Sequence, residues 1–359
     1  MTGDIVIGVF LERNGGAVMQ ALPSRVERDT SSYQKMEAVR FHQIDWNPTD
    51  VSAAAEGIQY LAKMAADMGK DRLKSVAIAA PGPFLSLRRS NLDGNFGQIS
   101  GAAHLPLRGF NLFQLFHDGL IQNGGNPEAF ITIQTDAEAC AIGEAMLRQL
   151  PNKDTLAFIL VTEGVGLGVV QGRTPLSSAL HSEFGMLHVR WDRTDPLRPT
   201  EETDRLYSKS LSEMAENSAL RKRCGIPPTA SKADLVSALN DATLDLRAYY
   251  LAQACLTCTV ILAPHQIVIG ADVDTNDASK SVAERTNRYF RNFLSARNID
   301  GQPTLQFAEL EKDDYVSASR ALYSVSKEPS FRITGALGMC HSAARADRGA
   351  QLLLRESIN

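Results

Sequence analysis

The chain has 359 residues, of which 44% are hydrophobic and 22% charged, the balance of a globular protein with room for two ordinary domains. The formal charge is −4 and no basic run appears, which argues against a nucleic-acid surface. No apolar run approaches the length of a membrane span, so no membrane partner is expected. No charged leader precedes an apolar export segment, since Ile5 to Leu11 is only strand-length. The five cysteines are odd in number and scattered, which fits a reducing cytoplasm.

Taken in order, the chain alternates strands and helices. Asp4 to Leu11 reads as a strand, and Asn14-Gly15-Gly16 turns it into a second, Ala17 to Leu22. A polar stretch runs to about Thr49. Asp50 to Met68 has apolar residues near helical spacing, with Thr49 or Asp50 as cap. Ser75 to Ala80 is a buried strand ended by the rigid Pro81-Gly82-Pro83, and residues 84–109 form a long irregular stretch. Phe110 to Gln122 is a helix, followed by a strand and helix in Ile131 to Glu144. A hairpin of Thr155 to Val161 and Val165 to Gln171 turns at Thr162-Glu163-Gly164. Helices follow near 202–217 and 231–262, then a strand Gln266 to Ile269, a helix at 277–296 and a strand Thr304 to Phe307. Two further helices are expected near 314–322 and 334–354. Such alternation implies an α/β fold of mixed sheets flanked by helices, in two lobes.

Two motifs carry more than secondary structure. Cys255 and Cys258 form a C-x-x-C inside the apolar run L-A-Q-A-C-L-T-C-T-V-I-L. No second pair or flanking histidines completes a tetrahedral metal site, so the two read as small core side chains on a helix. The stretch I-T-I-Q-T-D-A-E-A-C-A-I-G-E from Ile131 changes from strand to helix at Thr135-Asp136. Either residue could cap the helix, and a carboxylate there gains from the helix dipole. An aspartate at such a turn can also project into a cleft and take a proton from a substrate hydroxyl.

The succession S-V-A-I-A-A-P-G-P, H-L-P-L-R-G-F, T-D-A-E-A-C-A-I-G-E, I-L-V-T-E-G-V-G-L-G-V-V, H-S-E-F-G and L-A-P-H-Q-I-V-I-G-A resembles the ROK family of sugar kinases. F-G-Q-I-S, H-S-E-F-G and the Thr before Asp136 lean towards its bacterial fructokinase branch. The resemblance implies an α/β actin/hexokinase-like fold of two ribonuclease H-like lobes, 1–135 and 136–359, with the last helix packing back on the first. Sugar and ATP with Mg2+ would meet in the interlobe cleft of a cytoplasmic homodimer. Asp136 falls on the catalytic base, which removes a proton from the sugar hydroxyl attacking the γ-phosphate. Glu183 falls on a glutamate that hydrogen-bonds sugar hydroxyls, His181 on a histidine just before it, and His104 beside the sugar pocket. Thr162, Gly164, Gly166 and Gly168 fall in a phosphate loop, where absent side chains let backbone N–H groups approach phosphate oxygens. Gly270 and Ala271 match a Gly-Gly of the adenosine region, though a strand ending in a tight turn reads the same.

Three departures complicate the pattern. The family's opening D-x-G-G-T hairpin, which holds the β- and γ-phosphates and the metal, has no counterpart. Glu163 stands where a neutral hydroxyl normally meets phosphate; at about 5 Å and an effective dielectric near 20, each like-charge unit costs roughly 3 kcal/mol. Only a bridging cation, or an outward swing of Glu163, removes that objection. The family's zinc ligands are also missing: Met186 replaces a histidine and reads as a core filler, and no cysteine lies between Arg190 and Arg223, so no structural zinc is expected. A further sugar-contacting glutamate could be Glu201 or Glu202. Two readings remain: an ATP-dependent kinase acting on a hexose or amino sugar, or a catalytically degenerate relative that binds sugar as a sensor or interaction module. The family's repressors carry an N-terminal helix-turn-helix before the first strand, which is not expected here.

Overall fold

The computed structural model describes residues 4–21, 40–86, 95–100, 106–176, 182–198, 209–274, 281–295, 316–318 and 331–356. The chain divides into two compact units, one of residues 1–151, 173–182 and 330–359, the other of 152–172 and 183–329. The first boundary therefore lies after Pro151 and not at 135/136, because the helix that follows Thr135 packs with the first unit.

In the first unit, β1 (Ile5–Glu12) and β2 (Gly15–Ala21) form a hairpin, and β3 (Phe41–Asp45), β4 (Leu73–Ala80) and β5 (Phe130–Thr135) complete a sheet of order β3-β2-β1-β4-β5. β1, β4 and β5 run parallel; β2 and β3 are antiparallel to their neighbours. β1 is apolar from Ile5 to Leu11 because both its faces are covered. Ile5, Ile7, Val9 and Leu11 pack with apolar residues of α1 (Val51–Gly69) and α2 (Leu112–Gln122). The alternate residues meet α9 (Arg332–Glu356), which also packs on α3 (Asp136–Leu147).

That helix approaches closely because glycine stands where it touches. A Cβ at Gly8 would collide with the Ala336 carbonyl and come within 2.5 Å of Cys340 N, and one at Gly143 of α3 would collide with the Thr334 carbonyl. Ser75 Oγ, buried on β4, donates to Ala343 O at 2.6 Å. β3, inside the expected polar stretch, escapes sequence reading because most of its side chains are exposed and polar.

The second unit is built on β6 (Thr155–Val161), β7 (Val165–Gln171), β8 (Gln266–Ala271) and β9 (Val316–Ala318), in the order β9-β8-β6-β7. β6 and β7 are antiparallel; β8 runs parallel to β6 and β9 parallel to β8. The helix expected at 314–322 is thus a strand where described: Val316, Ser317 and Ala318 pair with Ile267, Val268 and Ile269, and that tertiary pairing overrides local propensity. The strand expected at 304–307 lies outside the described residues.

Capping side chains break both long helices expected between 202 and 262. Ser210 and Glu213 form a capping box at the start of α4 (Leu211–Ala215), and extended Glu216 separates it from α5 (Asn217–Cys224). Ser231 with Asp234 starts α6 (Lys232–Ala238), and Asn240 caps α7 (Asp241–Leu262). The core forms between the sheet, α7 and α8 (Val282–Ser295). Cys255 and Cys258 are buried there on α7; burial pushes the Cys258 thiol up to about 12 and Cys255 well above its ordinary value. Among the described residues no helix is long and apolar enough to cross a membrane.

Asp195 ties the segment after residue 190 to two helices. Its carboxylate accepts from Arg223 Nη2 of α5 at 2.7 Å and from the Tyr250 hydroxyl of α7 at 2.7 Å, and both side chains of the ion pair are sealed from solvent. Burial works to raise the Asp195 carboxyl, but hydrogen bonds from Arg223, Leu197 N–H and Tyr250 outweigh it and hold it below the usual carboxylate range. A carboxyl lowered by folding contributes stability above its unfolded pKa of about 3.9 and loses it as pH falls through the folded value. Asp195→Asn should lower unfolding stability at neutral pH by about 3–5 kcal/mol, since it strands the buried Arg223 charge. Urea denaturation of both proteins from pH 7 to pH 3 checks this: the gap should narrow as the wild-type carboxylate protonates.

Candidate active site

In the first unit, the polar residues that end β5 also start α3. Thr135 is extended (φ −77°, ψ 155°), so it is the cap, and Asp136 is the first helical residue. Thr135 Oγ1 accepts from Glu138 N at 3.2 Å, and Glu138 Oε2 accepts from Thr135 N at 3.1 Å. This capping box meets the helix's own need for acceptors. Asp136 is half-buried, and its Oδ1 accepts from Ala137 N at 2.8 Å. The positive end of the helix favours its ionised form. Its charge, after burial, is the next cause that holds the Cys140 thiol above its ordinary value.

In the second unit, the β6–β7 turn is short and tight. Thr162 N donates to Gly164 O at 2.8 Å. Gly164 lies in the turn, whereas Gly166 and Gly168 belong to β7, paired with Leu160 and Phe158 of β6. Gly270 of β8 also pairs with Leu160, from the other side. The structure therefore brings Gly166 and Gly270 onto the two flanks of one residue. A Cβ at Gly164 would meet nothing within 4 Å, so the turn leaves open space at its tip.

Glu163 does not leave a bare negative charge in this turn. Both its oxygens accept from Arg221 of α5, from Nη1 and Nη2 at 2.8 Å each. Only 9% of the Arg221 side chain is exposed. The hydrogen bond to Glu163 is the chief cause of its raised pKa, so it stays charged. A bidentate pair of this kind has the strong, charge-assisted geometry. The cation beside Glu163 is thus a residue of the chain itself.

Behind the turn lies a buried polar network. Arg247 of α7 is fully buried and donates to Ala215 O and Val273 O at 2.7 Å each and to Asn217 Oδ1 at 2.9 Å. Burial draws its pKa down to about 10, with Asp272 and Asp274 pulling the other way. Asn217 N donates to Thr162 O at 2.9 Å, and Asn217 Nδ2 donates to Asp272 Oδ1 at 2.9 Å. Lys232 pairs with the other Asp272 oxygen at 2.6 Å. One arginine and one asparagine therefore hold the turn after β6 against the segment after β8.

Glu183 precedes a single 3-10 turn, Phe184–Met186, and is exposed; Gly185 is buried against α4. Met186 is 62% exposed, which corrects the expectation of a core filler: the turn directs it outward. His181, His104, Glu201 and Glu202 lie outside the described residues. Arg221, Asn217, Arg247 and Asp272 escaped sequence reading, because an arginine on a long helix reads as a solvated charge until its surroundings are known. The signal was Arg247 itself, set in the otherwise apolar run A-Y-Y-L-A-Q-A-C that follows it.

Comparison with known proteins agrees with this architecture. The model of the ROK family matches residues 32–309. A fructokinase of Streptococcus mutans is 25% identical over 264 residues, 74% of this chain and 80% of that protein. The ROK hexokinase of Thermus thermophilus superposes with a TM-score of 0.62 at 17% identity, covering 96% of this chain and 99% of the other. A ROK family glucokinase of Streptomyces griseus, solved with glucose and AMPPNP, gives 0.57 at 16% identity, with 95% and 99% covered. The fold is α/β and actin/hexokinase-like. The chain belongs to the ROK family.

Proposed function

We propose that the chain is a carbohydrate kinase that transfers the γ-phosphoryl group of ATP to a hydroxyl of a hexose, with fructose the first sugar to try. The observation that carries this reading is the division of labour at the head of α3. Thr135 and Glu138 form the capping box, and Asp136 stands half-buried in the first turn, where we place the carboxylate base. Asp136 accepts the proton of the sugar hydroxyl while the hydroxyl oxygen bonds to the γ-phosphorus; the bond from that phosphorus to the bridging oxygen breaks, and ADP leaves with its electrons. Glu183 accepts hydrogen bonds from other sugar hydroxyls, which orients the attacking one. The open turn at Gly164 supports a phosphate there, and Arg221 removes the electrostatic objection from Glu163. Mg2+ that arrives with the nucleotide would neutralise charge on the transferring phosphate.

One observation favours the second reading, a sugar-binding sensor without phosphoryl transfer. Arg332 of α9 lies against Gly15 of the β1–β2 hairpin and pairs with Glu12 at 2.9 Å and Asp45 at 2.6 Å. The D-x-G-G-T of kinases in the family would stand at this opening hairpin.

A coupled ATP-consumption assay over hexoses and amino sugars separates the two. Turnover with at least one sugar is expected; sugar binding by calorimetry with no ATP consumed would establish the sensor instead. Asp136→Asn should lower kcat by roughly 10²–10⁴-fold while sugar still binds, and an unchanged rate would remove Asp136 from the chemistry. Arg221→Ala should raise the KM for ATP by about a hundredfold, the equivalent of roughly 3 kcal/mol from an unmatched Glu163. Adding Glu163→Gln to that variant should recover most of the loss. No recovery would mean that Arg221 acts on the nucleotide directly.

A further inference from the structure

Ser212 touches two loops that the proposed function uses separately. It stands in the first turn of α4, whose start is held by Glu213 Oε2 accepting from Ser210 N at 2.8 Å and Ser210 Oγ at 3.0 Å. Ser212 Oγ accepts from Val165 N at 3.2 Å, the residue directly after Gly164. On its other side it meets Gly185, two residues after Glu183. A Cβ at Gly185 would collide with Ser212 Oγ and come within 2.7 Å of the Val165 carbonyl. Leu211 N donates to Leu187 O at 2.7 Å, and Asn217 N donates to Thr162 O at 2.9 Å. Residues 210–217 thus grip the Glu183 turn at one end and the Thr162–Gly164 turn at the other. Where the two turns meet there is no room for a methyl group.

We propose that Ser212 is a positioning residue that couples sugar binding at Glu183 to nucleotide binding at the Gly164 turn. This rests on the kinase reading above. The physical argument is packing. When a sugar draws Glu183 into one orientation, the 183–187 turn can shift only by moving Ser212 or the Val165 carbonyl, since Gly185 is pressed against both. Ser212 then carries the shift to the Val165 N–H and so to the turn that faces phosphate. Coupling of this kind is reciprocal: the factor by which sugar tightens nucleotide must equal the factor by which nucleotide tightens sugar.

The experiment is calorimetry of AMPPNP with Mg2+, with and without a sugar that the protein turns over, on wild type and Ser212→Ala. Wild type should bind AMPPNP roughly fivefold or more tightly with sugar present. In Ser212→Ala that ratio should fall towards one, while the melting temperature and the affinity for sugar alone hold. A merely structural serine would lower stability and leave the ratio intact. Should Ser212→Ala fold poorly, Ser212→Cys keeps the side chain's shape with a much weaker acceptor and should also lower the ratio. A wild-type ratio of one, or an unchanged ratio in a folded variant, overturns the proposal. A protein that binds sugar but no AMPPNP overturns the kinase reading, and the coupling with it.

Discussion

A guanidinium sealed completely from water must find its hydrogen bonds inside the protein, and Arg247 finds them in three different segments. Its acceptors are the last residue of α4, the side chain that opens α5, and Val273 beyond the end of β8. An unanswered charge at that depth would cost several kcal/mol, so those segments have to come together whenever the second unit folds. The turn after β6 and the segment after β8 are then brought to a common frame, because Asn217 reaches Thr162 with its backbone and Asp272 with its side chain. A polar network of this kind is rigid only when every member is satisfied, and here each member has a partner.

The first unit reaches the same end by different means. Its rigidity comes from apolar packing on both faces of the parallel strands, and from a last helix that lies closer than side chains would normally allow. Gly8, on the strand, and Gly143, on the helix that begins with Asp136, are both points of contact with that last helix. A methyl at Gly143 would push on the Thr334 carbonyl and tilt the helix that carries the proposed base. The helix that Asp136 heads is thus held both by its own capping box and by the last helix, far from it in sequence.

The departures of this chain from its relatives look different once charges are paired. Glu163 alone would repel a phosphate, but Glu163 with Arg221 is close to neutral. The carboxylate and the guanidinium are explained together, since each answers the charge of the other. Arg332, Glu12 and Asp45 form a comparable cluster at the first hairpin, where the charges of one helix and two strands meet over a glycine.

Much was legible in the residues themselves. The Thr155–Val161 and Val165–Gln171 hairpin, the strand-to-helix change at Thr135 and Asp136, and the helix from Asp50 all follow from local patterns of apolar residues and caps, which act over a few neighbours and need no tertiary information. What lay beyond the sequence were decisions made by partners far away along the chain. β3 exists because β2 offers it an edge, and Val316–Ala318 is a strand because β8 is beside it. Thr135, and not Asp136, became the cap because its backbone is extended and Glu138 completes the box. Whether Glu163 repels or is neutral depended on Arg221, which a linear reading cannot set beside it. Local pattern decides which element forms; the pairing of charges and edges is decided only when distant segments are folded against each other.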